Sequence, residues 1–377
     1  MILRGRVVTP EEVRPGEVQV AGDRIVSVTL GHGDAGNHLI LPGFVDIHSH
    51  GGGGYSFTAA DPAAARAAAE FHLRHGTTTI LASLVSAPAE ELRAAVTALA
   101  PLVSEGVLAG VHLEGPYLSP SRRGAHDPAY LRDPSLAELA DLLRRGGGAV
   151  RVVTLAPERP GGLEAVRWLA AQGVVVAIGH TDATYEQTRA AVAAGATVAT
   201  HLGNAMGPVH HRAPGPVVAL LAAPEVTCEL IADGAHLHDG MLAFAARTAG
   251  PGRTALVTDA TAAAGMPDGT YHLGGRPVTV SGGVVRLAGP DGSPAAAGAP
   301  LAGSTLTMDA ALRRAIRAGL SIVEAARAAA TTPARAIGLG GTLGAIAPGL
   351  RADLVVLDPD LRVVRVVRAG TTVAGRG

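Results

Sequence analysis

The sequence predicts a (β/α)8 TIM-type barrel with a small β-sandwich domain formed by the N- and C-terminal segments. Between residues 43 and 348, eight apolar, β-branched segments alternate with stretches that are mostly alanine-rich and helical in period. Strand–helix alternation repeated eight times is typical of a parallel barrel. Short β-rich pieces bracket this region at both ends. A chain of 377 residues, 47% of them apolar, is long enough to bury a core for both parts.

The terminal pieces read as short strands separated by turn residues. The first piece holds predicted strands at residues 3–9, 17–21 and 24–29, with turns at Gly16 and at Gly22–Asp23. The last piece holds predicted strands at residues 353–357 and 363–369. Neither piece could bury a core alone. We therefore expect residues 1–42 and 349–377 to form one small β-domain, and residues 43–348 to form the barrel, with a β-hairpin insertion near residues 270–296.

The barrel elements follow from the period of the apolar residues. The predicted strands are residues 43–47, 77–82, 107–112, 150–155, 174–178, 196–200, 226–231 and 254–258. Residues 61–75, 89–103 and 185–194 have helical periodicity, and Asp182 is the expected cap of the last of these helices. Cys228, the single cysteine, lies within the seventh strand, so we expect a small buried core residue and no disulfide.

Charge and composition exclude several classes of function. The net charge is −1, there is no basic run, and aromatic residues make up 3%, which argues against nucleic acid or a membrane surface as partner. The first residues lack the apolar stretch of a signal peptide, and no run of 18 apolar residues occurs, so we expect a cytoplasmic protein. All 31 basic residues are arginine. Schiff-base chemistry and a carbamylated lysine that bridges two metals are therefore excluded.

Metal-ligand side chains recur where the predicted strands end, which is where barrels of this type carry their chemistry. His48 and His50 are two residues apart, so they point to one face of the first strand. Imidazole and carboxylate groups are the ligands that Zn²⁺ accepts. Four histidines, a glutamate and an aspartate at one end of the barrel therefore predict a metal site: His48, His50, Glu114, His180, His201 and Asp259.

Several runs of residues resemble one known family. The Asp-Ile-His-Ser-His run at residues 46–50, followed by four glycines, resembles the opening of the amidohydrolase superfamily. Further runs resemble the N-acetylglucosamine-6-phosphate deacetylases, in that family's order and across residues 1–377: residues 113–116, 179–185, 200–206, 233–236, 257–261 and 301–308. Gly203 departs from this pattern, because many members carry a bulky residue there. We expect that change to leave the metal site intact and to alter the pocket wall.

The resemblance implies an activity and a metal site. It implies hydrolysis of the N-acetyl group of N-acetylglucosamine 6-phosphate to glucosamine 6-phosphate and acetate, in amino-sugar catabolism and cell-wall recycling. Glu114, His180 and His201 would form the primary metal site. His48 and His50 would hold a second ion that shares Glu114, so the cofactor is one or two divalent ions per subunit, with zinc expected. Asp259 would take a proton from the attacking water and return it to the leaving amine.

The resemblance also implies how the substrate is held. His126, which follows Ala125 on the loop after the third strand, would polarise the carbonyl group, with His236 as the alternative. Backbone N–H groups of Asn204 and Ala205 would contact the phosphate. Arg212 would reach the same phosphate from the neighbouring subunit of a homodimer. The residues implied to line the sugar pocket are Asp233, Leu301, Ala302 and Gly303.

Other readings of the same residues stay open or are disfavoured. The sequence does not separate the glucosamine substrate from its galactosamine epimer. Dihydroorotase-like chemistry needs the bridging lysine that this chain lacks. A purine or pyrimidine deaminase is disfavoured by the setting of Glu114 and by Arg212, and a non-catalytic binding protein by the complete ligand set. Five further histidines match no ligand pattern and are expected to be exposed or partly buried: His32, His38, His72, His75 and His272.

Overall fold

The computed structural model describes residues 1–31, 36–289 and 291–375, and its centre is a barrel of eight parallel strands. Numbered along the barrel, these strands are β1 (Phe44–Asp46), β2 (Thr77–Leu84), β3 (Gly110–Glu114), β4 (Val150–Leu155), β5 (Val175–Ile178), β6 (Ala196–Ala199), β7 (Thr227–Ile231) and β8 (Thr254–Val257). The segments that follow β8 and β1 meet through the hydrogen bonds from Asp259 N to His48 O and from His50 N to Ala260 O. The predicted barrel is therefore confirmed, and its two ends meet beside the candidate site.

A helix follows each barrel strand. These helices are α1 (Pro62–Arg74), α2 (Ala89–Ser104), α3 (Leu136–Gly146), α4 (Gly162–Ala171), α5 (Tyr185–Ala193), α6 (Gly215–Ala222), α7 (Asp239–Ala249) and α8 (Met308–Arg317). Two short helices, Ile322–Ala326 and Thr332–Ala336, come next and are joined by a π-helical turn. The expected cap at Asp182 is wrong. The cap of α5 is Thr184, which forms a reciprocal capping box with Gln187, and Asp182 pairs with Arg122 instead.

The terminal segments form a separate seven-stranded sheet. In spatial order its strands are Thr371–Gly375, Val363–Arg368, Leu354–Leu357, Leu39–Pro42, Ile2–Val8, Val13–Ala21 and Arg24–Leu30. Leu39–Pro42 was not predicted as a strand, yet it is the central strand of this sheet and joins the strands of the two terminal pieces. It pairs parallel with Ile2–Val8 and antiparallel with Leu354–Leu357. The sheet is thus separate from the barrel, as expected, while the domain boundaries at residues 42 and 349 stay a prediction.

Alternation along the central strands joins this sheet to the barrel. Leu39 and Leu41 pack in the large barrel core, whereas Ile40 packs in the small core of the terminal sheet. Leu354–Leu357 alternates in the same way. Because successive side chains of a strand point to opposite faces, these two strands contribute to both cores at once.

The insertion after β8 contains three strands rather than the expected hairpin. They are Gly269–Leu273, Arg276–Ser281 and Val284–Leu287, and they pair antiparallel in that order. Their small apolar cluster includes Val278, Val280 and Val285, and Ala125 of the loop after β3 packs against it. The insertion therefore lies over the carboxyl end of the barrel. Residue 290, within the range predicted for it, lies outside the described residues.

Several predictions for single residues can be compared with the structure. Cys228 is buried in the barrel core and has a free thiol, as expected. The expectation for His72 is wrong, because this histidine is fully buried, with Nε2 2.8 Å from Gly51 O. His32 lies outside the described residues. No helix in the described ranges is both long and apolar enough to cross a membrane.

Leu41→Ala should destabilise the fold by about 2–5 kcal/mol, the usual cost of truncating a core leucine. Leu41 is 0% exposed and packs the terminal sheet against the barrel. Denaturant unfolding measures the change. Ile2→Ala is the control, since Ile2 lies in the same sheet but is 51% exposed, and a change within about 0.5 kcal/mol is expected. Equal effects of the two substitutions would show that the sheet does not depend on its contact with the barrel.

Candidate metal and active site

Glu114, the last residue of β3, is the carboxylate on which the site converges. It is 3% exposed, and five imidazole Nε2 atoms surround its two oxygens. The distances are 2.9 Å to His201, 3.2 Å to His180, 3.2 Å to His50, 3.4 Å to His126 and 3.5 Å to His48. The five histidines follow four different strands, so the parallel barrel brings them together at one end.

Asp259, which follows β8, is the second carboxylate of the cluster. Its Oδ1 lies 3.1 Å from His50 Nε2 and 3.6 Å from His48 Nε2. The possible ligand atoms form two groups, and within each group they all lie within 4.8 Å of one another. The first group is His48, His50 and Asp259, and the second is Glu114, His126 and His180. His201 Nε2 adds to the second group, because it lies 3.1 Å from His180 Nε2.

Hydrogen bonds to Nδ1 leave the Nε2 lone pair of three histidines facing the carboxylates. His50 Nδ1 donates to Ser83 O at 3.1 Å, and His180 Nδ1 donates to Arg122 O at 2.8 Å, because a carbonyl oxygen can only accept. His48 Nδ1 lies 3.0 Å from Glu229 Oε2. A partner of this kind behind the ring is the usual setting of a metal-binding histidine.

His126 has the opposite tautomer. Its Nδ1 accepts from the backbone N–H of Ser86 at 3.3 Å, and Ser86 Oγ lies 2.9 Å from the same nitrogen. Because a backbone N–H can only donate, the ring proton of neutral His126 must be on Nε2, which faces Glu114. His126 is thus placed to donate a hydrogen bond rather than to bind a metal, although its Nε2 lies among the ligand atoms.

The donor set fits a divalent cation. His180 Nε2 lies 3.2 Å from Glu114 Oε1, and a ring lone pair at that distance from a carboxylate oxygen is repulsive unless a proton or a metal cation lies between them. His48 Nε2 is buried and has no hydrogen-bond partner among the described residues. A buried polar atom without a partner is costly, and a cation among these atoms would remove that cost.

The carboxylates and imidazoles shift one another's pKa values. Burial lowers the pKa of His50, but hydrogen bonds to Asp259 and Glu114 raise it to about 9. Burial raises the pKa of Asp259 and Glu114, yet the surrounding histidines hold both well below their ordinary values. Burial lowers the pKa of His126 to about 4, so this ring is neutral at pH 7. A divalent ion competes with protons for the same lone pairs.

Three of the clustered residues have strained backbones. His201, His180 and Asp259 have φ values of 27°, 47° and 49°, in the left-handed region that residues other than glycine rarely adopt. Ala205 has a φ of 50°. Such strain costs about 1–3 kcal/mol per residue and persists only where the surroundings enforce it. Its concentration where strands end is typical of a functional site.

A cavity of about 330 Å³ opens above the cluster. Most of the predicted site residues line it: His50, Glu114, Ala125, His126, His180, His201, Asn204, Ala205, His236, Asp259, Leu301 and Gly303. Gly303 has a φ of 67°, and a Cβ there would lie 2.8 Å from the backbone carbonyl oxygen of Asp259, so only glycine fits at this position. His48 is fully buried beside the cavity and reaches the cluster from behind.

Some predicted residues lie outside this lining. Asp233 does not line the sugar pocket as expected, but its Oδ2 lies 2.7 Å from His236 Nδ1 and orients that ring. Ala302 is instead buried in the apolar cluster of the insertion. Gly203 is not a lining residue either, and the expected change to the pocket wall stays a prediction. Arg212 is exposed and lies beside His211, with Nη1 2.8 Å from His211 Nε2.

The phosphate contact expected of Asn204 also changes. Its backbone N–H already donates to His201 O at 3.0 Å, and its side-chain amide donates to the same oxygen at 3.2 Å. The N–H of Ala205 has no acceptor among the described residues. The free donors at this end of the cavity are therefore the Ala205 N–H and the second hydrogen of the Asn204 amide.

Several residues of the site were missed from the sequence. Arg122 and Arg276 line the cavity, Ser86 fixes the ring of His126, and Glu229 lies behind His48. The signal for Glu229 was a carboxylate inside an otherwise apolar strand. The main-chain contact of Ser86 could not be predicted, because a backbone N–H is common to nearly every residue type. Two buried polar residues of the barrel strands lie close to the site: Asp46 accepts from Thr258 Oγ1 at 2.6 Å, and His112 lies between Ser83 Oγ and Thr154 Oγ1.

Comparison with known proteins agrees with this geometry. An N-acetylgalactosamine-6-phosphate deacetylase from Escherichia coli O157:H7 is 38% identical over 97% of both chains. An N-acetylglucosamine-6-phosphate deacetylase from Vibrio furnissii is 36% identical over 86% of this chain and 80% of that one. The crystal structure of a variant N-acetyl-D-glucosamine-6-phosphate deacetylase from Mycobacterium smegmatis, in complex with N-acetyl-D-glucosamine-6-phosphate, has a TM-score of 0.94 and is 46% identical over 99% of both chains.

The match to a family covers nearly the whole chain. The sequence profile of the amidohydrolase family matches residues 39–373, which include every strand of the barrel and all of the clustered ligand candidates. The chain belongs to the amidohydrolase family.

Proposed function

We propose that this protein hydrolyses the N-acetyl group of N-acetyl-D-glucosamine 6-phosphate to give glucosamine 6-phosphate and acetate. The observation that carries the proposal is the convergence of five histidines and Asp259 around Glu114, at the floor of a cavity large enough for a sugar. Support for the substrate comes from the M. smegmatis relative, whose structure holds this sugar phosphate. Such an enzyme acts in amino-sugar catabolism and cell-wall recycling.

The metal site follows from the lone pairs of the histidines. Glu114, His180 and His201 would hold the primary ion, and His48 and His50, together with Glu114, would hold a second ion. Imidazole and carboxylate ligands favour zinc. In this setting a divalent ion supplies Lewis acidity and lowers the pKa of bound water.

The residues of the chain divide the remaining chemistry between them. Asp259 accepts a proton from the attacking water and delivers it to the amine nitrogen as the amide bond breaks. The Nε2–H of His126 donates to the acyl oxygen, where negative charge develops. His126 is better suited to this role than His236, because its tautomer is fixed and the ring is neutral. His236, which Asp233 orients, is placed to contact the sugar.

In this proposal the phosphate is bound at the end of the cavity near Asn204 and Ala205. The charge of the phosphate is the reason to propose a dimer. The N–H of Ala205 and the amide of Asn204 are neutral donors, and a phosphate dianion also needs positive charge. Arg212 is exposed on the segment before α6 and does not line the cavity of its own chain. We propose that Arg212 binds the phosphate of the neighbouring subunit in a cytoplasmic homodimer.

The galactosamine epimer is the second candidate substrate. The E. coli O157:H7 relative that carries the galactosamine name covers 97% of this chain. The two sugars differ only in the orientation of the 4-hydroxyl group, so the same metal site and the same proton transfers serve both.

Acetate release is the test of this function. The purified full-length chain should hydrolyse N-acetylglucosamine 6-phosphate and contain zinc, and Glu114→Ala should lose both, because Glu114 faces all five histidines. Parallel kcat/KM values for the two epimers decide between the candidate substrates. Glu138→Ala is the control, since Glu138 pairs with Arg132 away from the cavity. No acetate from either sugar phosphate, or full metal content in Glu114→Ala, would contradict the proposal.

Asp259→Asn should lower kcat by about 10²–10⁴-fold, because an amide cannot carry the proton between water and amine. Steady-state kinetics and metal analysis of the same preparation measure this. Asp353→Asn provides the matched control: Asp353 is a buried carboxylate of the terminal sheet, and its loss should lower stability and leave kcat intact. Retention of more than about a tenth of the wild-type kcat would exclude Asp259 as the proton carrier.

Arg212→Ala should lower kcat/KM on the phosphorylated sugar about 10–100-fold, since a charged hydrogen bond is worth roughly 1.5–3 kcal/mol. Activity on unphosphorylated N-acetylglucosamine should change little. Arg317→Ala, at the exposed end of α8, is the control.

The same variant shows which subunit supplies the arginine. When Arg212→Ala and Asp259→Asn proteins exchange subunits, a hybrid dimer holds one site with an intact Asp259 and an intact Arg212 from the other chain. Activity should then reappear. If labelling shows exchange and no activity returns, Arg212 does not act across the interface.

A further inference from the structure

Glu229 is a buried carboxylate that the proposed chemistry does not use. It is the middle residue of β7, is 1% exposed, and lies between Cys228 and Leu230, which are both in the barrel core. It does not line the cavity. A carboxylate in such surroundings is costly unless its oxygens are hydrogen-bonded. Its contacts are therefore informative about its role.

One oxygen of Glu229 contacts two of the residues assigned to the metals. Oε2 lies 3.0 Å from His48 Nδ1 and accepts from the backbone N–H of His201 at 3.1 Å. Because a backbone N–H can only donate, this oxygen is an acceptor, and His48 must carry its proton on Nδ1 to bond with it. The lone pair of His48 is then on Nε2, the buried atom that faces Glu114 and Asp259.

The contact with His201 acts on the backbone. The φ of His201 is 27°, and its N–H is held by Glu229 while its carbonyl accepts from Asn204. Rare backbone conformations persist only where neighbouring groups enforce them. Oε2 of Glu229 thus fixes the position of the proton on the His48 ring, and it also holds the backbone that carries the His201 ring.

We propose that Glu229 is a positioning residue of the metal site. Its carboxylate holds His48 in the tautomer that can bind the second ion, and it steadies the backbone of His201 at the first. The inference rests on the proposed metal-dependent function, and it concerns the affinity for metal rather than a step of the reaction. Partners of this kind behind a ligand typically change metal affinity about 10–100-fold.

Glu229→Leu is the direct test, because leucine suits an apolar strand and removes the acceptor. Zinc per subunit and chelator competition should show two ions in the wild type and about 10–100-fold weaker binding of the second ion in the variant. Glu229→Gln keeps an acceptor oxygen and should restore most of the affinity. His48→Gln removes a proposed ligand of the second ion. It therefore gives the zinc content and zinc affinity expected when that ion no longer binds.

The control separates positioning from general destabilisation. Leu230→Ala weakens the same strand from its opposite face, so it should lower stability and leave both zinc affinities at wild-type values. If Glu229→Leu does not fold, Glu229→Asp replaces it, because its carboxylate is one methylene shorter and cannot reach His48 equally well.

The outcomes are distinct. Wild-type affinity for both ions in the variants, or a wild-type chain that holds only one ion, overturns the role of Glu229. A wild-type chain that binds two ions and releases no acetate instead overturns the proposed function, and the zinc measurements on the Glu229 variants still decide the role of that residue.

Discussion

The group that four of the five site histidines bond through Nδ1 is the constraint on which the rest of the site depends; the Nδ1 of His201 has no partner among the described residues. A neutral imidazole carries one proton, so a carbonyl or carboxylate at Nδ1 leaves a lone pair on Nε2, whereas an N–H donor at Nδ1 forces the proton onto Nε2. The first case holds for His48, His50 and His180, and the second for His126. Rings crowded around one carboxylate are thereby divided into candidate metal ligands and a hydrogen-bond donor.

These partners come from strands other than those that carry the histidines. Ser83 of β2 supports His50, which follows β1, and the loop after β3 supports His180, which follows β5. The closed ring of parallel strands is what sets each pair at hydrogen-bond distance, and it also enforces the left-handed backbones of His180, His201 and Asp259. Fold and chemistry are therefore coupled through the main chain, and a site of this kind is best built where rigid strands end.

The sequence predicted the ligand candidates because strand ends share one face of a barrel, whatever loops separate them. It did not predict the groups that hydrogen-bond to these side chains and orient them. The carbonyl of Arg122 and the N–H of Ser86 belong to the main chain, which every residue type possesses. Leu39–Pro42 was missed because its four apolar residues gain meaning only through pairing with strands far apart in sequence. The capping box of Thr184 and Gln187, in contrast, was readable from the sequence and was overlooked.

The charges that line the cavity bear on the proposal that Arg212 of a second subunit binds the phosphate. Arg122 lines the cavity, but its charge is offset by Asp182, whose Oδ1 lies 2.7 Å from Nη2. Arg276 also lines the cavity, and its Nη1 is committed to the carbonyls of Ala125 and His126. Asp127 adds a negative charge to the same wall. A phosphate dianion bound there would meet neutral donors, Arg122 with its charge offset by Asp182, and Arg276, whose Nη1 already donates to two carbonyls. Under the proposal that Arg212 acts across a dimer interface, its guanidinium adds positive charge at this cavity and can contact two phosphate oxygens at once.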